Sequence, residues 1–99
     1  MKNKINEKTS VSPVENEKGF KVISCPRSVL EAATGQAKCV CDNCLASPEV
    51  GYYVAVLNRW LCQTCYEHWL ASATRYEEDT WVEEKNYEYY MKILKQWDY

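Results

Sequence analysis

The chain has 99 residues, a formal charge of −2 and 46% hydrophobic residues, enough for one small domain and too little for two. No stretch approaches the roughly 18 apolar residues of a membrane span, and no apolar run of the signal-peptide kind follows the initial lysines. The charge is split. Residues 1–40 carry seven Lys/Arg against four Glu, whereas residues 66–99 carry four Lys/Arg against eight Asp/Glu, which disfavours a C-terminal half that tracks a phosphate backbone.

Residues 1–19 are mostly Lys, Asn, Glu, Ser and Thr, with isolated Ile5, Val11 and Val14. So little apolar area cannot offset the entropy of ordering, and the stretch is expected to be a disordered arm ahead of one domain over 20–99. Phe20–Ser24 reads as extended. Pro26 suits a first helical position and Gly35 a helix end, which predicts a short helix over Pro26–Thr34 with Val29, Leu30 and Ala33 on its buried face.

Gln36–Cys41 is expected to be extended, and Leu45–Gly51 a loop. Tyr52–Leu57 alternates between Tyr52/Val54/Val56 and Tyr53/Ala55/Leu57, the pattern of a strand with two packed faces. Asn58-Arg59 is the expected turn, and Trp60-Leu61 the return strand. Beyond Cys65 the period becomes helical, with Tyr66, Trp69, Leu70, Ala73 and Tyr76 on one stripe. Thr80-Trp81-Val82-Glu83 fits a capping box for a C-terminal helix over 80–97, whose apolar stripe is Tyr87, Tyr90, Met91, Leu94 and Trp97.

Two Cys-x-x-Cys pairs, Cys41/Cys44 and Cys62/Cys65, are separated by 17 residues. A structural zinc ion takes four soft ligands in a tetrahedron, and two thiolates from each of two tight turns supply them. One structural Zn2+ held by Cys41, Cys44, Cys62 and Cys65 is therefore expected. Six cysteines in a chain without a leader fit a reducing cytoplasm and metal ligation better than disulfides. Cys39, two residues before Cys41, would point to the same side on an extended segment, as a substitute ligand or a packed thiol. Cys25 reads as a small buried hydrophobe, and His68, one helical turn after Cys65, as a spare donor.

Over residues 39–76, CDNC…RWLCQTC followed by an amphipathic helix resembles a treble-clef zinc finger. The spacing is similar to that of GATA-type fingers and of the DksA/TraR family of polymerase regulators. The resemblance implies an α+β fold of knuckle, β-hairpin and helix, here with a short N-terminal helix and an acidic C-terminal helix. Two departures separate the chain from those families. The segment after the finger is Glu77-Glu78-Asp79 rather than a basic tail, and no long coiled coil precedes the finger, the longer helices following it instead.

Four thiolates leave no open coordination position, no Gly-rich phosphate loop or nucleophile elbow occurs, and there is one histidine. An enzyme is not expected, nor a small-molecule substrate. Thirteen aromatic residues favour a protein-interaction adaptor or regulator, with a protein partner or a second copy meeting the C-terminal aromatic stripe. The alternative is a nucleic-acid-associated transcriptional regulator that uses the basic N-terminal half and stacking aromatics.

Overall fold

The computed structural model describes residues 11–98. These form an α+β domain around a four-stranded antiparallel sheet of spatial order β1-β2-β3-β4. The strands are β1 (Ser12–Val14), β2 (Val22–Pro26), β3 (Val50–Val54) and β4 (Arg59–Leu61). Three helices accompany them: α1 (Arg27–Thr34), α2 (Gln63–Ser72) and α3 (Thr80–Gln96), the last entered through a single 3₁₀ turn at Glu77–Asp79.

Period-2 alternation places successive side chains on opposite faces of the sheet, and here both faces are covered. On one face Ile23, Cys25, Tyr53, Ala55 and Trp60 pack with Val11, Leu30 of α1 and Leu94 of α3. On the other, Val22, Val54 and Leu61 pack with Phe20, Cys41 and Tyr66 of α2. The two-faced pattern read from Tyr52–Leu57 is this arrangement, but the strand itself runs Val50–Val54 and so starts inside the expected loop. The turn is residues 55–58 rather than Asn58-Arg59, with Ala55 still buried and Leu57 exposed. Asn58 takes a left-handed conformation (φ 57°), which lets two strands join without a glycine, and its Oδ1 accepts from the Tyr53 hydroxyl at 2.7 Å.

α1 begins after Pro26 and ends on Gly35 in the left-handed region (φ 78°), whose N–H returns to the Glu31 carbonyl. α3 folds back on the sheet. Leu94 is fully buried, and Tyr87, Tyr90 and Met91 pack beside it, while Trp97 stays exposed at the helix end.

Gly51 has a packing reason. The indole of Trp60 crosses β3 at this position to donate from Nε1 to the Cys25 carbonyl at 3.3 Å. A Cβ on residue 51 would stand 2.5 Å from Trp60 Cε2 and 2.9 Å from the Leu61 carbonyl oxygen. Trp60 is buried and hydrogen-bonded, so it cannot retreat. Gly51→Ala is expected to destabilise by about 2–3 kcal/mol, the overpacking range, as a lowered urea midpoint at unchanged m-value.

The described part of the arm expected to be disordered is ordered. Residues 1–10 lie outside the described residues, but β1 pairs with β2 in the register Ser12↔Ser24, Pro13↔Ile23, Val14↔Val22. Val11 is buried, and its N–H donates to Asp98 Oδ2 at 3.0 Å, from the far end of the chain. Asn16 closes the following turn, accepting from the Lys18 and Phe20 amides and donating to the Phe20 carbonyl. Composition cannot register such long-range partners. Pro13 also removes one N–H from the sheet edge, which blunts it against pairing with another chain.

α2 stops at Ser72, short of Tyr76, which is 56% exposed and off the expected stripe. Lys18 Nζ donates to the carbonyls of Ala71 and Ala73 and so ends the helix with a cation from the N-terminal segment. The capping box does not form either. Asp79, not Thr80, precedes α3, no side chain caps it, and Glu83 is engaged elsewhere. Gln36–Cys41 forms no strand.

Candidate metal centre

The four cysteines of the two Cys-x-x-Cys pairs converge. Their sulfurs all lie within 4.8 Å of one another, and Cys44 Sγ stands 3.7 Å from Cys62 Sγ. A tetrahedron with metal–sulfur bonds of about 2.3 Å has edges of about 3.8 Å, so four thiolates set this way fit one ion.

Local chemistry brings each pair to this point. In the first, the Leu45 N–H returns to the Cys41 carbonyl and the Cys41 N–H to the Ala46 carbonyl. The turn needs a left-handed residue at Leu45 (φ 69°), although that side chain is 71% exposed and gains no packing there. Asp42 then ties the turn to β4. Its N–H donates to the Trp60 carbonyl at 2.9 Å, and its Oδ2 accepts from the Trp60 N–H at 3.0 Å. In the second pair, Cys62 precedes α2 and Cys65 lies in its first turn, where unpaired amides and the positive helix end favour thiolates.

The amides of Asn43 and Cys44 point at Cys41 Sγ, at 3.4 and 3.5 Å. Burial opposes the Cys41 thiolate, but the amides of Cys44, Cys62 and Asn43 outweigh it and lower its pKa to about 6. For Cys65 the Asn43 side chain favours the thiolate, yet burial and the adjoining cysteines prevail and push it up to about 12. Four thiols this close cannot all ionise without a cation among them, which is the electrostatic form of a metal site.

Asn43 bridges the two pairs. It belongs to the first turn, and its Nδ2 donates to Cys65 Sγ of the second at 3.2 Å. Outer partners of this kind change metal affinity about 10- to 100-fold. Asn43→Asp, which replaces the donor with a negative acceptor, is expected to fall at the weak end of that range in competition with a chromogenic chelator, with Asn43→Ala between it and the wild type.

The other two cysteines and the histidine stand apart from the cluster. Cys39 and Cys41 do not share a side: because the chain between them is not a strand, Cys39 enters the core facing α1 and α3, and Cys41 the opposite one. The Cys39 N–H donates to Glu31 Oε2, and burial raises its thiol pKa. Cys25 is fully buried, and burial, with Asp98 and Cys39 adding to it, pushes its thiol up to about 12. Both are neutral packed thiols. His68 is exposed on α2 and outside the cluster.

Comparison with protein-family models, with curated proteins and with solved structures returns no match. The chemistry rests on the site itself. Among the described residues no helix is long and apolar enough to cross a membrane.

Proposed function

We propose that the chain is a small cytoplasmic adaptor or regulator that binds another protein, stabilised by one structural Zn2+ on Cys41, Cys44, Cys62 and Cys65. Zinc is the ion of choice because it takes four thiolates in a tetrahedron without geometric strain. The order of tight turn, β3–β4 hairpin and α2, with two ligands from the turn and two from the helix start, supports a treble-clef assignment. Four thiolates close the coordination sphere, which supports a non-catalytic role.

The observation that carries the adaptor reading is the aromatic surface that remains once both cores are filled. Tyr76, Trp81 and Tyr89 are each more than half exposed, and Trp97 is 42% exposed. These residue types dominate interface energetics. The basic residues favour the alternative less, because several are occupied within the fold. Lys18 ends α2, Lys21 lies over the Tyr87 ring, Arg27 binds Ser47 and Glu31, and Arg75 binds Glu83.

The test is affinity capture by the zinc-loaded chain from nuclease-treated lysate at high salt, with a Trp81→Ala/Tyr89→Ala variant in parallel. A stoichiometric protein retained by the wild type and lost from the variant is the expected result. Retention only of nucleic acid from a parallel lysate left undigested at low salt, and its release by added salt, would favour the transcriptional regulator instead.

A further inference from the structure

We propose that the cleft between α2 and the start of α3 is a binding site for an alkylammonium group, the side chain of a lysine carried by a partner protein. The source of that lysine rests on the adaptor reading, whereas the chemistry of the cleft does not. The cavity holds about 210 Å³ and is walled by Phe20, Trp69, Tyr76, Asp79, Glu83 and the Arg75 side chain.

Three features give it its preference. The first is aromatic: Phe20 and Trp69 meet with ring centroids 4.6 Å apart at 54°, and exposed Tyr76 stands at the rim. Ring faces attract cations, and most strongly where water is partly excluded. The second is an internal example. The Arg75 guanidinium already lies 5.5 Å from the Phe20 centroid and 2.8 Å from Glu83 Oε1, a cation held between a ring and a carboxylate.

The third is a carboxylate without a partner among the described residues. Both Glu83 oxygens are engaged, one by Arg75 and the other by the Lys21 N–H at 2.9 Å. Asp79 is not. It stands where an aspartate ordinarily accepts from the first amides of a helix, yet its backbone is helical and it makes no capping bond. Asp79 is half-buried and lines the cavity, and its carboxylate accepts no hydrogen bond from the described residues. Glu77 and Glu78 on the same turn deepen the negative potential. Arg75, the one cation among the described residues of the wall, is already neutralised by Glu83.

Lysine fits better than arginine. The position that suits a planar fork, over the Phe20 ring, is filled by Arg75, and what remains is one carboxylate beside the Trp69 and Tyr76 rings, a place for a compact charge on an apolar stem. Leu57, 37% exposed at the rim, would meet that stem.

The zinc-loaded full chain, 15N-labelled, is titrated with Nα-acetyl-lysine amide and separately with the norleucine and arginine analogues. Saturable shifts of the Trp69 indole N–H and of the Tyr76 and Asp79 amides are expected for lysine, with a Kd on the order of millimolar for so small a probe. Asp79→Asn, nearly isosteric, and Tyr76→Ala, at an exposed position, should each weaken binding at least about fivefold, within the usual range for one cation–ring or charge contact. Their zinc stoichiometry and remaining spectrum report that the fold is kept. Equal shifts with norleucine, no shift with lysine, tighter binding of arginine, or wild-type affinity in Asp79→Asn would each overturn the assignment. The probe needs no partner protein, so its failure leaves the capture experiment standing, and failed capture leaves the cleft result standing.

Discussion

Removing the metal, or any one of Cys41, Cys44, Cys62 and Cys65, is expected to unfold the α2 side of the sheet. Apparent binding energies of a structural zinc ion reach about 10–16 kcal/mol in finger peptides, comparable with the whole stability of a domain this size. The loss should not be uniform. Of the four cysteines, Cys41, Cys62 and Cys65 belong to the face built on Phe20, Val22, Val54, Leu61 and Tyr66, whereas α1 and α3 pack on the other face around Ile23, Tyr53 and Leu94. Hydrogen exchange after chelation should therefore show α2 and the Cys41–Leu45 turn losing protection first and most. Thiol labelling gives a second readout. With metal bound none of the six cysteines should react quickly, and on chelation the four ligands should become reactive before Cys25 and Cys39, which lie in the other core. Acid should act as chelator does. The folded-state pKa of Cys41, about 6, lies below the ordinary thiol value of 9.0. In the metal-free chain its thiolate thus contributes fully above the ordinary value, and the contribution is lost as pH falls through about 6. With metal bound, protons compete with the ion for all four thiolates. Metal release, followed colorimetrically, should therefore accelerate on acidification and not on a rise in pH. A chain that keeps α2 protected without metal would sink the site as a structural one.

How much of this was legible in the sequence depends on the range of the forces involved. The four-cysteine cluster was legible because each Cys-x-x-Cys pair is shaped locally, by amides within three residues and by a helix start, and the intervening hairpin announces itself by alternation. α1 and α3 were legible for the same reason: Pro26, Gly35 and a period of 3.6 act over a turn or two. The failures share a different cause. β1 has three residues, one of them proline, and depends on β2 for its pairing, while the neighbouring Val11 amide depends on Asp98. α2 ends where Lys18 reaches its carbonyls from 53 residues away. Glu83 has the spacing of a capping-box residue but is drawn to Arg75 and Lys21 instead. In each case a tertiary partner overrides a local rule, and nothing in the nearby sequence identifies that partner. The placement of Cys39 opposite Cys41 fails similarly, because an alternation argument needs a strand and the segment is not one.

Glu83→Ala is expected to cost about 3 kcal/mol, whereas Glu31→Ala, which removes the other carboxylate paired with an arginine among the described residues, should cost much less. The ion pairs are alike in chemistry. Arg27 and Glu31 lie one helical turn apart at 3.4 Å with both side chains partly in water, a setting worth a few tenths of a kcal/mol. Glu31 also accepts from the Cys39 N–H, a part-buried bond that sets most of its expected cost at about 1 kcal/mol. Glu83 is different in kind, with a side chain 2% exposed and both oxygens engaged. Truncating it strands the Lys21 N–H, removes a charge-assisted bond to Arg75 and opens a void, and each of the first two is worth about 1–3 kcal/mol. Arg75 is 40% exposed and can turn to water, so its own loss of a partner adds little. This asymmetry predicts that Glu83→Gln, which can still accept from the Lys21 amide, recovers roughly half of the deficit. In a domain of this size about 3 kcal/mol corresponds to a fall in Tm of about 12–24 °C, easily separated from the few degrees expected for Glu31→Ala. Equal melting shifts for the two alanine variants would show that burial does not set the worth of these carboxylates. Because Glu83 joins the Phe20–Lys21 segment to the first turn of α3, its removal should also loosen the cleft, and Tyr76 and Asp79 amide exchange in Glu83→Gln would report that loosening without global unfolding.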